Sequence, residues 1–82
     1  MLTKYLEAAM GRARYKILKD DGSYYGEIPS CRGVWANEKT LEACRAELAA
    51  TLEDWLLFRI HRHLTVPKIN GIELRIRKEK AA

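Results

Sequence analysis

The longest run of the 82-residue chain that fits a single helix is TLEACRAELAATLEDWLLFRIHRHL, residues Thr40–Leu64, and the other predicted elements pack around it. Thr40 is a good N-cap, since its hydroxyl can accept a hydrogen bond from a backbone N–H of the first turn. Pro67 favours extended geometry in the residue before it, so the helix is expected to end before that point. The apolar residues of the run recur at spacings of three and four, which places the following in one stripe: Leu41, Cys44, Leu48, Leu52 and Trp55.

The last two turns of this helix are apolar on nearly all sides. With about 100° of rotation per residue, Leu57 points roughly 160° away from the stripe. A helix that covers one sheet needs only one apolar face. We therefore expect Leu57 and Phe58 to pack on something besides the sheet, either the N-terminal helix or a second copy of the chain. These two residues are the predicted oligomer interface.

The segments before this helix predict a shorter helix and a β-hairpin. Leu2–Arg12 carries apolar residues near one face, and Gly11 can end it by adopting the left-handed conformation common at helix ends. Arg14–Lys19 and Ser23–Ile28 are predicted strands because their residues alternate. The Asp-Asp-Gly run at 20–22 joins them, and two such strands separated by an Asp-Gly pair are a strong hairpin signal.

A loop, a third strand and a final strand complete the pattern. Pro29–Gly33 is a predicted loop, because a proline has no backbone N–H to donate to a neighbouring strand. Val34–Ala36 is predicted as a short third strand. Gly26, in the middle of the second strand, marks a bulge or the close approach of a helix. The Asn-Gly pair at 70–71 predicts a tight turn, and Ile72–Ile76 alternates apolar and charged residues as a final strand with one wet face.

The order helix, three strands, long helix and strand predicts a two-layer α+β sandwich. An antiparallel three-strand meander and the final strand form its sheet, with the long helix packed across it. The length predicts one domain, residues 1–82, with the N-terminal helix at 1–12, a core at 13–77 and a polar tail at 78–82. A domain of this size buries only about 60–65% of its unfolded surface, so association into a homodimer or higher homo-oligomer would help it.

The composition excludes several classes of protein. Hydrophobic and charged contents of 48% and 32% fit a soluble globular domain. No run approaches the roughly 18 apolar residues of a membrane span, and the N-terminus lacks the layout of a signal peptide, so a cytoplasmic location is expected. Cys31 and Cys44 are expected to be reduced, buried thiols. His61 and His63 are two apart on a helix and cannot share a metal, so no metal or cofactor is predicted.

The net charge of +4 is unevenly placed along the chain. Residues 1–19 carry five bases and one acid, residues 20–58 three bases and eight acids, and residues 59–82 seven bases and two acids. The basic ends and the acidic middle can complement each other within the fold. Basic ends can also contact nucleic acid, so that function stays open.

The order and spacing of these elements resemble the HicB family of antitoxins. That family has a strand, an Asp-Gly turn, a strand with paired aromatics, a Pro-x-x-x-Gly loop, a small strand and a helix that starts Thr-Leu-Glu-x-Ala. The resemblance covers about residues 14–64. The corresponding segments of this chain are Tyr15–Ile17, Asp20–Gly22, Ser23–Ile28, Pro29–Val34 and Thr40–Cys44.

The resemblance implies a partial RNase H-like fold without catalysis. The order α-β-β-β-α-β comes from the segments of this chain, since the N-terminal helix is not part of the core motif of the family. It also implies a partner, a small RNA-cleaving toxin of the HicA type whose active site the antitoxin blocks. Many family members add a C-terminal DNA-binding module. Only six residues follow Ile76 here, so the chain resembles a short form from which repression through such a module is not expected.

Enzymatic activity is not predicted. An RNase H-like reaction needs several carboxylates that converge on metal ions. Here Asp20 and Asp21 lie on a turn, Glu27 on a strand and Asp54 on the long helix. Aspartates in turns usually make local hydrogen bonds.

A protein-binding module is the main prediction, and a nucleic-acid-binding protein is the alternative. A toxin that cleaves RNA is expected to be basic, so the acidic turn and the outward strand residues are predicted to face it. The alternative is a small basic RNA- or DNA-binding protein that uses its sheet face, where a tyrosine stacks on bases and strand arginines contact phosphates. The predicted toxin-facing residues are Asp20, Asp21, Tyr25 and Glu27, and the predicted nucleic-acid contacts are Arg75 and Arg77.

Overall fold

A computed structural model of the chain describes residues 2–72 and confirms the predicted order of a helix, three strands and a long helix. The predicted final strand lies outside the described residues, except for Ile72. No helix within residues 2–72 is both long and apolar enough to cross a bilayer. The elements are α1 (Leu2–Gly11), β1 (Arg14–Ile17), β2 (Tyr24–Glu27), β3 (Trp35–Glu38) and α2 (Leu41–His61).

The three strands form an antiparallel meander with β2 in the centre. Tyr25 of β2 pairs with Lys16 of β1 and with Asn37 of β3. The predicted hairpin turn is closed by the N–H of Leu18, which donates to the carbonyl of Ser23 at 2.8 Å. Gly22 adopts a φ of 71° there, a conformation that side chains with a Cβ rarely take.

Helix α2 begins where the sequence predicts and ends earlier. The Thr40 hydroxyl accepts from the N–H of Ala43 at 3.0 Å, which confirms the predicted cap. The helix ends at His61 rather than at Leu64, because His63 adopts a φ of 55° and reverses the chain. The N–H groups of His63 and Leu64 then donate to carbonyls of the last turn at 3.1 and 2.8 Å, the pattern of a Schellman motif.

The inner face of α2 forms the core with the sheet. Its buried side chains recur every four residues, and the stripe continues through Leu56 rather than Trp55, which is half-buried. Leu41, predicted to belong to the stripe, is 42% exposed. The buried core consists of Tyr5, Ala9, Ile28, Cys31, Val34, Ala36, Cys44, Leu48, Leu52, Leu56 and Ile69.

Gly26 marks the closest approach of α2 to the sheet. A Cβ at this position would lie 2.9 Å from the ring of Tyr15 and 3.1 Å from the Sγ of Cys44. The strand register continues unbroken through Gly26, so the residue permits close packing rather than a bulge.

Side-chain hydrogen bonds link helix α1, and Arg12 just after it, to the segment that follows α2. The Tyr5 hydroxyl donates to the carbonyl of Pro67, and the Arg12 guanidinium donates twice to the Asn70 side-chain oxygen, at 2.8 and 3.0 Å. Asn70 and Gly71 have φ values of 50° and 76°, as in the predicted tight turn. Gly11 does not adopt the expected left-handed conformation, because α1 ends instead in short-range bonds from residues 12 and 13 to the carbonyls of residues 9 and 10.

Thr40→Ala should lower the free energy of unfolding by about 1 kcal/mol, because the N–H of Ala43 loses its acceptor. Urea unfolding followed by circular dichroism measures the change. Thr40→Ser keeps the hydroxyl and should retain most of the stability. Equal losses in both variants would contradict the capping role.

Gly26→Ala should destabilise the chain by about 1–3 kcal/mol, because its methyl would overlap the Tyr15 ring and crowd Cys44. Gly11→Ala is the matched control, since a Cβ there meets nothing within 4 Å. The control should be neutral or slightly stabilising. If thermal unfolding gives both variants the same stability, the close approach of α2 is not what requires glycine at residue 26.

Candidate functional site

The sheet has one surface under α2 and one surface turned away from it. We call the second surface the sheet face. It is built by alternate residues of the three strands, because successive side chains of a strand point to opposite sides. Its residues are Arg14 and Lys16 of β1, Tyr25 and Glu27 of β2, and Trp35 and Asn37 of β3.

Two aromatic rings stack at the centre of the sheet face. The ring centroids of Tyr25 and Trp35 are 6.1 Å apart, and the rings are inclined by 21°. Lys16 places its Nζ 5.4 Å from the centroid of the Tyr25 ring. Because β1 and β3 flank β2, Tyr25 lies between the lysine and the tryptophan. Trp35 remains 55% exposed, which is unusual for the largest apolar side chain.

Glu27 is the acidic group of the sheet face. The Tyr25 hydroxyl donates to its Oε1 at 3.3 Å. Partial burial, together with the nearby Glu27 carboxylate and this hydrogen bond, raises the pKa of Tyr25 above its usual value of 10. The phenol therefore stays neutral at physiological pH.

The surroundings of the aromatic pair are basic. Arg14 pairs with Glu27 across the strands, and Lys16 pairs with Tyr25. A shallow cavity of about 280 Å³ beside Trp35 is lined by Arg32 of the β2–β3 loop. Three cations and one carboxylate thus surround the stacked rings.

The two turn aspartates lie at one end of the sheet, away from Glu27. Asp21 accepts from the N–H and the hydroxyl of Ser23, at 3.0 and 2.7 Å, and these bonds lower the pKa of its carboxyl. Asn37 in turn donates to the Ser23 hydroxyl at 2.9 Å, which ties the turn to β3. Asp20 is exposed on the same turn. The turn aspartates are therefore separated from Glu27, and Lys16 lies over the ring of Tyr25. For both reasons the four predicted toxin-facing residues do not form one acidic patch.

A second candidate surface lies on the helical side of the molecule, between α1 and α2. Leu2 lines one end of this surface together with Leu57, and Met10 lines the opposite end. The two helices therefore run antiparallel. Two cavities of about 150 and 310 Å³ share Leu6 and Glu53 and make one continuous depression. We call it the helix groove, and its exposed or half-exposed lining is Leu2, Leu6, Met10, Ala46, Ala49, Ala50, Glu53 and Leu57.

The borders of the helix groove are acidic. Glu53 is the only charged residue among those that line it. Helical spacing places Glu7 on the α1 border beside Met10, and it places two acids, Glu42 and Asp54, and one base, Arg45, on α2 one side chain away from the lining. The charge of this surface is therefore opposite to that of the sheet face.

Leu57 and Phe58 are 57% and 55% exposed, so α1 does not cover them. Leu57 lines the helix groove, whereas Phe58 lies about 100° further round α2. Arg62 stacks over the Phe58 ring at 5.5 Å. Of the two surfaces that the sequence offers to cover these residues, α1 does not cover them, and packing on a second copy of the chain stays a prediction.

The remaining candidates within residues 2–72 do not converge on a site. Cys31 and Cys44 are buried free thiols whose pKa is raised by burial, as expected for structural cysteines. Within residues 2–72, no three His, Cys, Asp or Glu side chains are placed to hold a metal ion. Arg75 and Arg77 lie outside the described residues.

Comparisons with known proteins identify the family. The model of the UPF0150-like family matches residues 4–67. The chain belongs to this family. Its structure is similar to the crystal structure of TTHA0281 from Thermus thermophilus, with 48% sequence identity, a TM-score of 0.85, and coverage of 93% of this chain and 94% of that one. No curated protein matches the chain.

Sequence reasoning missed Trp35 of this UPF0150-like chain, an aromatic residue that is 55% exposed. The strand pattern predicts that Trp35 lies on a strand but gives it no role in a site. Its neighbours Val34 and Ala36 are small and buried, so the alternation of the strand already places the indole outward. Its contact with Tyr25 depends on the register of β2 and β3, which the sequence does not state.

Glu27→Gln should lower the pKa of Tyr25 towards 10, because the substitution removes a negative charge that opposes ionisation of the phenol. A pH titration of the tyrosine ¹³Cζ resonance by NMR measures the shift. Glu38→Gln, on the other side of the sheet, should leave the Tyr25 pKa unchanged. An unchanged Tyr25 titration in Glu27→Gln would contradict the contact.

Proposed function

We propose that the chain is a HicB-like antitoxin, a non-catalytic module that binds and neutralises a small RNA-cleaving toxin of the HicA type. Membership of the UPF0150-like family, which is related to such antitoxins, supports this function. The pattern of strands, Pro-x-x-x-Gly loop and capped helix at residues 14–64 supports it further. Binding alone suffices for neutralisation if the bound chain covers the surface that the RNA must reach.

The helix groove is the proposed docking surface, and its combination of apolar lining and acidic border is the observation that carries the proposal. A toxin that cleaves RNA must attract phosphates, so its active surface is basic. An acidic border attracts such a surface over long range and fixes its orientation. Leu2 and Leu57, 42% and 57% exposed, then supply apolar area for short-range packing.

The sheet face suits this partner less well. Tyr25 and Glu27, predicted from the sequence to face the toxin, lie among Arg14, Lys16 and Arg32. A basic toxin would be repelled by these cations, which makes the opposite side of the molecule the better docking surface.

We also propose that the chain associates with itself through Phe58 and the neighbouring side of Leu57. Both side chains are more than half exposed, and a small domain gains stability when such residues are covered. Phe58 lies outside the helix groove, so a second copy and a toxin need not compete for the whole of one surface.

Leu57→Lys and Glu53→Lys should each weaken toxin binding by tenfold or more, which corresponds to about 1.4 kcal/mol. The measurement is co-purification and isothermal titration with the product of a HicA-like reading frame adjacent to the gene, or with a toxin recovered from the native host. Rescue of growth in cells that express the toxin gives a second readout.

Phe58→Lys is the matched control, since it introduces the same charge at an equally exposed apolar residue outside the groove. It should leave toxin binding intact and reduce the mass measured by light scattering. Toxin binding that survives both groove substitutions would exclude the helix groove. A mass unchanged by Phe58→Lys would exclude the self-association surface.

A further inference from the structure

We infer that the sheet face binds single-stranded nucleic acid, a function separate from the proposed toxin binding. The stacked rings of Tyr25 and Trp35 lie at the centre of this surface. Exposed aromatic rings on a sheet are the usual platform for unpaired bases, because every base offers a flat π-surface.

Trp35 provides the open position of this platform. The Lys16 Nζ lies 5.4 Å from the centroid of the Tyr25 ring and the Trp35 centroid lies 6.1 Å from it, and these two neighbours come from the strands on either side of β2. Within residues 2–72, β3 has no strand on its outer side, so nothing from the sheet covers the second face of the indole. A base that stacks on this face of the indole adds one more ring to the series formed by Lys16, Tyr25 and Trp35.

Several cations lie near this position, where they can contact the phosphates of a bound strand. Arg14 and Lys16 lie along β1, and Arg32 lines the shallow cavity beside Trp35. Among the residues that form the sheet face, Glu27 is the only acid, and its Oε1 already accepts from the Tyr25 hydroxyl. The surface is therefore positive along β1 and at the β2–β3 loop, which complements the phosphates of a strand that passes across the rings.

The shape of the surface favours single strands over duplexes. Three strands about 4.8 Å apart span only about 10 Å, which leaves room for a few nucleotides. In a duplex the bases are paired and stacked on each other, so the indole would have no base to contact. An acidic peptide would satisfy the cations but would leave the exposed ring face unused.

The sheet face and the helix groove lie on opposite layers of the molecule. Nucleic-acid binding therefore does not require the toxin, and its test is independent of the proposed function. Fluorescence anisotropy with a fluorescein-labelled single-stranded RNA of about 12 nucleotides provides the measurement, over a salt series from about 50 to 200 mM.

Two substitutions at Trp35 separate ring stacking from apolar burial. Trp35→Leu should weaken RNA binding by about tenfold, because it keeps apolar area but removes the aromatic ring. Trp35→Phe should restore most of the affinity. Phe58→Ala, at an aromatic residue of the same 55% exposure on the helical side, should have no effect.

Charge reversal tests the contribution of the cations. Lys16→Glu should weaken binding and reduce the slope of log K against log salt by about 0.7, the value for one phosphate contact on a single strand. Lys19→Glu changes the net charge equally but lies in the β1–β2 turn, off the sheet face, and should have a much smaller effect.

Quenching of Trp35 fluorescence gives evidence that does not depend on the Trp35 substitutions. In Trp55→Phe, where Trp35 is the remaining tryptophan, unlabelled RNA should quench the emission with the same affinity as anisotropy reports. Absence of RNA binding at low salt, full binding by Trp35→Leu, or equal competition by duplex RNA or polyglutamate would each overturn the inference.

Discussion

The close contact between α2 and the centre of the sheet determines how the other parts of the molecule are arranged. Gly26 lacks a Cβ, so the Cys44 thiol and the Tyr15 ring can both lie directly over the strand. This close approach fixes which surface of the sheet is covered and which is left open. It also fixes the rotation of α2, because Leu48 and Leu52 must follow Cys44 into the same core.

Once that rotation is fixed, residues 2–72 leave two surfaces of opposite charge uncovered by one another. Acidic residues of α2, such as Glu53 and Asp54, are turned away from the core and border the helix groove. Basic residues of β1 are turned to the other side of the sheet. The two layers of the fold separate these charges, so the molecule can attract a basic partner on one side and an anionic partner on the other.

Much of the fold follows from local sequence, and the candidate surfaces follow from it only in part. The Thr40 cap, the Asp-Gly hairpin and the Asn-Gly turn each depend on a few neighbouring residues, and all three are found as predicted. Helical spacing also places Leu57 opposite the buried stripe, where it cannot reach the same core, while its role in an oligomer interface stays a prediction. The sequence predicts that α2 ends near Leu64, whereas the helix ends at His61. The chain reverses through the left-handed conformation of His63, which a histidine does not signal as clearly as a glycine would.

Local sequence is enough to predict the type and order of the elements, since these depend on hydrogen bonding and side-chain periodicity within one segment. Which residues of different segments meet depends instead on tertiary packing. The stack of Tyr25 on Trp35 depends on the strand register, and the helix groove depends on how Leu6 of α1 meets Glu53 of α2. These pairs are far apart in the chain, and their contacts are set by how the layers pack rather than by any local pattern.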